Sequence, residues 1–400
     1  MKDEQAAVLL KKLESGYALP SLSAIAVKLI ELASDDACSV KELAELIEKD
    51  PSLTVRVLKL ANSAAFRSRF PATTLHHAIT RIGFHQLRIL ALSLSLRDTF
   101  PMGKSGLFNY EQFWRISLYQ GLLARSLSRE LKGCDTDEAF VAGLTLEIGL
   151  LVFYDLFVKK VQEGTRLDWY PLASLLDSET QQFGINHRDV GEIALSHWKF
   201  PEAIVLCQRS YETGEAAAMP PLVRICSMAS ELSALICHPN ANFQQVFQSV
   251  ESSFDVGQDI LSDAVVTTFR EVDEIAEALT VQVTSEKDSL FLMEKAHREL
   301  SRLSEQVLQA QSAGSGRELP SFETLRPADQ PQASDTVAKT LEAVAHEIRN
   351  PLTAVGGFAR RLAKTMDQTS AGWKYVEVIL SETKRLEEAL NTMSQSLRSA

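Results

Sequence analysis

His346, Glu347, Arg349 and Asn350 lie in one short string, Val344-Ala-His346-Glu347-Ile-Arg349-Asn350-Pro351-Leu352. A neutral imidazole on an exposed helix face is a nucleophile that can attack the terminal phosphate of ATP in line. A carboxylate next to it in sequence can orient the ring or accept its proton, which gives Glu347 a place in the same chemistry. Arg349 is placed to steady a phosphate. Pro351 removes a backbone hydrogen bond and bends a helix that continues through it, so helix motion and access to His346 can be coupled.

The string sits on a helix that must be amphipathic. Val337, Leu341, Val344, Ile348, Leu352, Val355, Ala359 and Leu362 recur every three or four residues, and His346 falls off that stripe, towards solvent. A break follows at Asp367-Gln-Thr-Ser370 and Gly372. A second stripe then runs through Val376, Ile379, Thr383, Leu386, Leu390, Met393 and Leu397. A two-helix hairpin of ~60 residues has too little core to bury both stripes. Pairing with a second copy would give a dimeric four-helix bundle, so a homodimer through 337–400 is the physical expectation.

These residues resemble the phosphoacceptor and dimerisation (HisKA-type) domain of two-component histidine kinases. The resemblance implies His346 as phosphoacceptor, Glu347 as its acid/base partner, and Asn350 as the polar group that positions water for dephosphorylation. It implies phosphoryl transfer from ATP to His346 and then to an aspartate of a response regulator. ATP and magnesium would enter with a separate ATP-binding domain, for no Gly-rich phosphate loop occurs in the chain and Gly356-Gly357 lies within the first helix. No cofactor is expected in this chain itself. The sequence stops at Ala400, at the end of the second helix, and the expectation is a sensor kinase cut after its hairpin, with a natural protein served by another kinase as the alternative.

The earlier part of the chain reads as all-α. Leu19-Pro20-Ser21 opens a helix to about Ala33. Ser39 with Glu42 forms a capping box for the next, to about Ile47. Asp50-Pro51 starts a third, which ends at Asn62-Ser63. Thr74 begins a fourth, which Gly83 stops. A long apolar helix is expected from Gln86 to about Leu96. Leu19-Pro20-Ser21-Leu22, Asp50-Pro51-Ser-Leu-Thr-Val-Arg56-Val-Leu58, Leu60-Ala61-Asn62-Ser63-Ala64, Ala78-Ile79 and Ile82-Gly83 resemble the HDOD family. Its members are bacterial all-α signalling domains related to HD phosphohydrolases.

HD enzymes activate water on a metal held by histidine and aspartate. Leu146-Glu147 stands where the resemblance asks for His-Asp, and Ile116 where it asks for the first histidine. Isoleucine cannot ligate a metal, so no metal site and no phosphohydrolase activity are expected. His187 and His197, beside Trp198, read as structural histidines rather than ligands, and His76-His77 as surface residues, since adjacent helix positions point apart.

The domains expected are an HDOD domain over 1–280, a connecting helix over 281–311, a flexible linker over 312–336 and the phosphoacceptor hairpin over 337–400. Met293, Ala296, Leu300, Leu303, Val307 and Ala310 are spaced as a short coiled-coil seam or as the inner face of a packed surface helix. The linker has three prolines and two glycines and almost no apolar residues.

The net charge of -11 argues against nucleic-acid binding. Between Pro51 and Arg97 the balance reverses: Arg56, Lys59, Arg67, Arg69, Arg81, Arg88 and Arg97 meet no Asp or Glu. That face could dock an acidic partner or anionic ligand, or be balanced by acidic neighbours in the fold. Five scattered cysteines without a CxxC pair suit reduced thiols in the cytoplasm. The start lacks the apolar core of a signal peptide, and no apolar run is expected to span a membrane. Two other readings stay open: a dimeric interaction scaffold without phosphotransfer, for which His346→Gln would leave signalling unchanged, and an anion sensor, for which Arg67→Glu with Arg69→Glu would abolish ligand-induced thermal stabilisation.

Overall fold

The computed structural model describes residues 22–33, 39–62, 71–84, 108–158, 172–209 and 219–279, together with most of 281–298 and 352–398 and a few isolated positions between 87 and 105. The described residues are almost wholly helical, as the hydrophobic periodicity requires. Four short helices open the chain: α1 (Ala24–Ala33), α2 (Val40–Glu48), α3 (Pro51–Ala61) and α4 (Leu75–Ile82). Their ends follow the expected caps. The Ser39 hydroxyl accepts from the Glu42 backbone N–H while the Glu42 carboxylate accepts from that of Ser39. The Asp50 carboxylate accepts from the first-turn amides of Ser52 and Leu53, above Pro51. Thr74 caps α4, and Gly83, at φ 95°, ends it in a conformation that glycine adopts without steric cost. The opening helix begins at Ala24 rather than Leu19, residues before 22 lying outside the described ones. Leu87, Ala91 and Ser95 are helical and nearly or fully buried; the rest of the expected helix over 86–96 lies outside them.

A two-residue antiparallel ladder, β1 (Lys104–Ser105) with β2 (Phe108–Asn109), precedes the central helix. No alternating pattern announced it. Then come α5 (Tyr110–Leu131), α6 (Thr136–Thr145), α7 (Gly149–Phe153, continued by a π-helical turn to Val158), α8 (Leu172–Phe183), α9 (His187–His197), α10 (Glu202–Leu206), α11 (Pro221–Cys237), α12 (Phe243–Phe254) and α13 (Gln258–Leu279). The long helix α14 (Trp373–Arg398) lies at the C-terminal end.

The core forms around α5, whose buried residues lie on all sides from Phe113 to Ser128. Helices α5 and α6 approach to backbone contact: a Cβ on Gly143 would sit 2.6 Å from the Gln120 carbonyl oxygen, and one on Gly121 3.0 Å from that of Phe140. Thr136–Phe157 is long and apolar enough to cross a membrane by length and composition only, and 94% of its most apolar window is buried inside the protein. Such apolarity is what a core segment needs.

The chain divides into two compact units. The first comprises 1–240 with 252–255 and 267–285; the second comprises 241–251, 256–266 and 286–400. In the first, one cation of the basic stretch meets an acidic neighbour and another is held by neutral acceptors. Lys59 pairs with Glu277 at 2.8 Å, and Arg81 donates to Asn62 and the Ala61 carbonyl. Arg67, Arg69, Arg88 and Arg97 lie outside the described residues. Cys134, Cys207, Cys226 and Cys237 are free thiols.

Candidate functional site

Glu147 emerges at the turn after α6 into the interior, with 1% of its surface exposed. Its depth is set by backbone packing. A Cβ on Gly149 would overlap the His187 carbonyl oxygen and lie 2.6 Å from the Gly191 amide, so only glycine lets the start of α7 rest on α9. The Asn186–Asp189 capping box fixes where α9 begins. His187 and Arg188, its first two residues, thereby meet Glu147.

The result is a buried charged network. His187 Nε2 lies 2.8 Å from Glu147 and Nδ1 2.6 Å from Glu179 on α8. Arg188 donates to Glu147 Oε1 at 2.7 Å and to Ser230 on α11, and Gln120 on α5 adds a further donor to Oε1 at 3.1 Å. Burial opposes charge on both ring and carboxylate. Coulombic attraction from Arg188 first, and then His187, outweighs it at Glu147 and holds that carboxyl far below the usual range. The carboxylates of Glu179 and Glu147 likewise raise the His187 pKa to about 9. The imidazole is therefore a cation at neutral pH, donating from both nitrogens, and two cations balance two carboxylates.

This arrangement does not fit a metal. Both oxygens of Glu147 accept from protein donors, and a guanidinium and an imidazolium stand where a cation would bind. Ile116, at 1% exposure, is a plain core side chain on α5. No metal-binding cluster of His, Cys, Asp and Glu occurs among the described residues. His187 is the buried structural histidine expected, whereas His197 is exposed at the end of α9, so the two are not brought together. His76 and His77 are exposed. Sequence reasoning missed Glu179 and Arg188 as partners. The capping box hints at Arg188, but nothing in spacing links Glu179 to a residue on the next helix.

The network sets a pH dependence. The folded pKa of His187 lies above its ordinary 6.5, so its contribution is fully present below 6.5 and is lost as pH rises towards about 9. That of Glu147, depressed from 4.5, is present above 4.5 and lost as pH falls. Stability against urea, measured from pH 5 to 10, is expected to fall steadily between about 6.5 and 9, and His187→Gln to flatten that fall.

In the second unit, residues 355–363 form a helix that pairs with α14. Val355, Ala359 and Leu362 are buried, as are Val376, Ile379, Thr383 and Leu386, so the two stripes face inward as the periodicity requires. The helices lie close at Gly356, where an added Cβ would meet Thr383 Cγ2 at 2.5 Å. Gly356→Val is expected to destabilise the hairpin by about 1–3 kcal/mol through overpacking, read as an earlier loss of helical circular dichroism on heating; Gly357→Ala, with only Arg361 nearer than 4.0 Å to the new methyl group, is expected to do little. Met293 and Ala296 are also fully buried, with Met293 close to Gly372 at the hairpin turn, so the connecting helix begins as a packed helix. Leu300, Leu303, Val307, Ala310 and the linker 312–336 lie outside the described residues, as do His346, Glu347 and Asn350.

Two family models match the chain: the HDOD domain over residues 19–213 and the His Kinase A (phospho-acceptor) domain over residues 336–398. The chain carries an HDOD domain followed by a histidine-kinase phosphoacceptor domain. Two solved structures share the fold of much of it. One is a putative phosphohydrolase from Shewanella amazonensis SB2B, 23% identical over 69% of this chain and 98% of its own, with a TM-score of 0.53. The other is a putative signal transduction protein from Marinobacter aquaeolei VT8, 18% identical over 70% of this chain and 66% of its own, also at 0.53. No curated protein matches the chain.

Gln120, Glu147, Glu179, His187 and Arg188 of the charged network fall within the residues matched by the HDOD model. The network ties α5, α8, α9 and α11 together. The pairing of an HDOD domain with a phosphoacceptor domain fits a two-component signalling protein. Domains of the second kind generally dimerise and engage kinase and response-regulator partners.

Proposed function

We propose that the protein is a cytoplasmic two-component signalling protein, in which the HDOD domain receives a signal or partner and controls phosphoryl transfer at His346. In this reading Glu347 orients the imidazole and takes its proton, Asn350 positions water for dephosphorylation, and the phosphoryl group passes to a response-regulator aspartate. A kinase ATP-binding domain supplies ATP and magnesium, and two copies of 337–400 pair as a four-helix bundle. The observation that carries the reading is the phosphoacceptor-family match over 336–398, which contains His346-Glu347-Ile-Arg349-Asn350-Pro351. The HDOD domain acts as an interaction or relay module, since the segments resembling the HD metal ligands carry Ile116 and Leu146-Glu147 instead.

The test is incubation of the full chain with a histidine-kinase ATP-binding domain and γ-labelled ATP, followed by assay for acid-labile, alkali-stable phosphate. Label on the wild type and none on His346→Gln is expected. Label that survives His346→Gln, or none on the wild type with any catalytic domain tried, would leave the hairpin a dimerising scaffold.

A further inference from the structure

The helix over 355–363 is covered on two opposite sides by different elements. At about 100° per residue, Gly356 and Phe358 point roughly 200° apart. Gly356 faces Thr383 of α14, while Phe358, fully buried, packs on Phe243 of α12 with ring centroids 5.7 Å apart. Phe243 is itself stacked on Phe247 at 4.7 Å. Beside Phe358, the Arg361 guanidinium bonds Asp259 at 2.9 Å and also pairs with Asp263, both on the first turns of α13. Asp259, Asp263, Phe243, Phe358 and α14 all belong to the second compact unit.

The exposed side of the helix and its flanks carries Thr353, Arg360 and Lys364. That face is polar and cationic and cannot form the interior of a bundle. A four-helix bundle with a second copy needs the apolar arc of every helix turned inward. Here the arc from Phe358 round to Gly356 is already filled from within the chain.

We propose that α12 and the start of α13 form an intramolecular latch on the Phe358–Arg361 face of the hairpin, competing with a second copy of the chain for the same surface. Undocking this face is then the step that permits pairing of two hairpins. The latch offers a direct contact through which the state of the chain before the linker reaches the hairpin. Its regulatory consequence rests on the phosphotransfer reading above; the competition itself does not.

Asp259 and Asp263 are 83% and 49% exposed, so reversing their charge removes the latch without cutting into the core or altering the hairpin. Sedimentation equilibrium of the full chain measures dimer dissociation. Asp259→Arg with Asp263→Arg is expected to tighten the dimer by about tenfold, the scale of breaking two partly exposed ion pairs and replacing them with repulsion. Adding Arg361→Glu to that pair re-creates opposite charges and is expected to return the constant towards the wild-type value. An unchanged or weaker dimer in the double variant, no return on adding Arg361→Glu, or a chain that stays monomeric in all three forms would overturn the proposal. An unchanged constant would also indicate that a second copy packs elsewhere, for instance on Tyr375 and Val378, each 45% exposed on α14. Loss of label in His346→Gln bears on phosphotransfer and leaves the dimer constant untouched, so the two readings fail separately.

Discussion

Replacing His187 with alanine is expected to destabilise the HDOD domain by about 3–5 kcal/mol, the cost of leaving a buried charge without its partner. Glu147 and Glu179 both converge on the imidazole, at 2.8 and 2.6 Å, and both are almost wholly buried. Without the ring, Arg188 still answers Glu147, but among the described residues no cation other than His187 pairs with Glu179. The carboxylate must then take up a proton or draw in water. At a domain of this size the loss lowers the melting temperature by roughly 10 °C or more, which calorimetry reads directly. Adding Glu179→Gln to His187→Ala removes the orphaned charge and is expected to recover a substantial part of the loss. No recovery would show that the void left by the ring, rather than the charge, sets the cost.

Glu347→Gln is expected to slow phosphorylation of His346 by about 10²–10⁴-fold, the range over which a positioned general base contributes. The amide keeps the size of the carboxylate and much of its hydrogen bonding, but it cannot accept the imidazole proton. Dimer formation should not change, because Glu347 is next to His346 and off the apolar stripe. Asn350→Ala should separate the two directions of the chemistry: labelling of His346 continues while release of phosphate from a phosphorylated response regulator slows. Both are read in the same assay, as initial rate of label incorporation and as lifetime of the regulator's phosphate. Equal rates for Glu347→Gln and the wild type would remove the acid/base role from Glu347.

The helical class and the hairpin were legible because periodicity is a local property. The stripe through Val355, Ala359 and Leu362 and that through Val376, Ile379, Thr383 and Leu386 are buried as written in the chain. The Ser39–Glu42 box and the stop at Gly83 were legible for the same reason: a cap is made by residues within a few positions of each other.

Long-range pairing was not legible. That Glu147 would end between Arg188 and His187, with Glu179 on the ring's far side, depends on backbone contact of Gly149 with Gly191 and His187, and only the packed structure creates it. His197 shares a helix with His187 yet lies at the surface, because ten residues of rotation and rise carry it out of the core.

By itself, then, the sequence determined which of the described segments are helices and which of their faces are apolar, all set by side chains a turn or two apart. The tertiary structure decided what covers those faces. An apolar stripe states only that it must be buried, and any complementary surface satisfies it. The sequence pointed to a second copy as the cover for the hairpin. The fold brings Phe243, Asp259 and Asp263 of the same chain against Phe358 and Arg361, because burial is non-directional and a partner within the chain is always at hand.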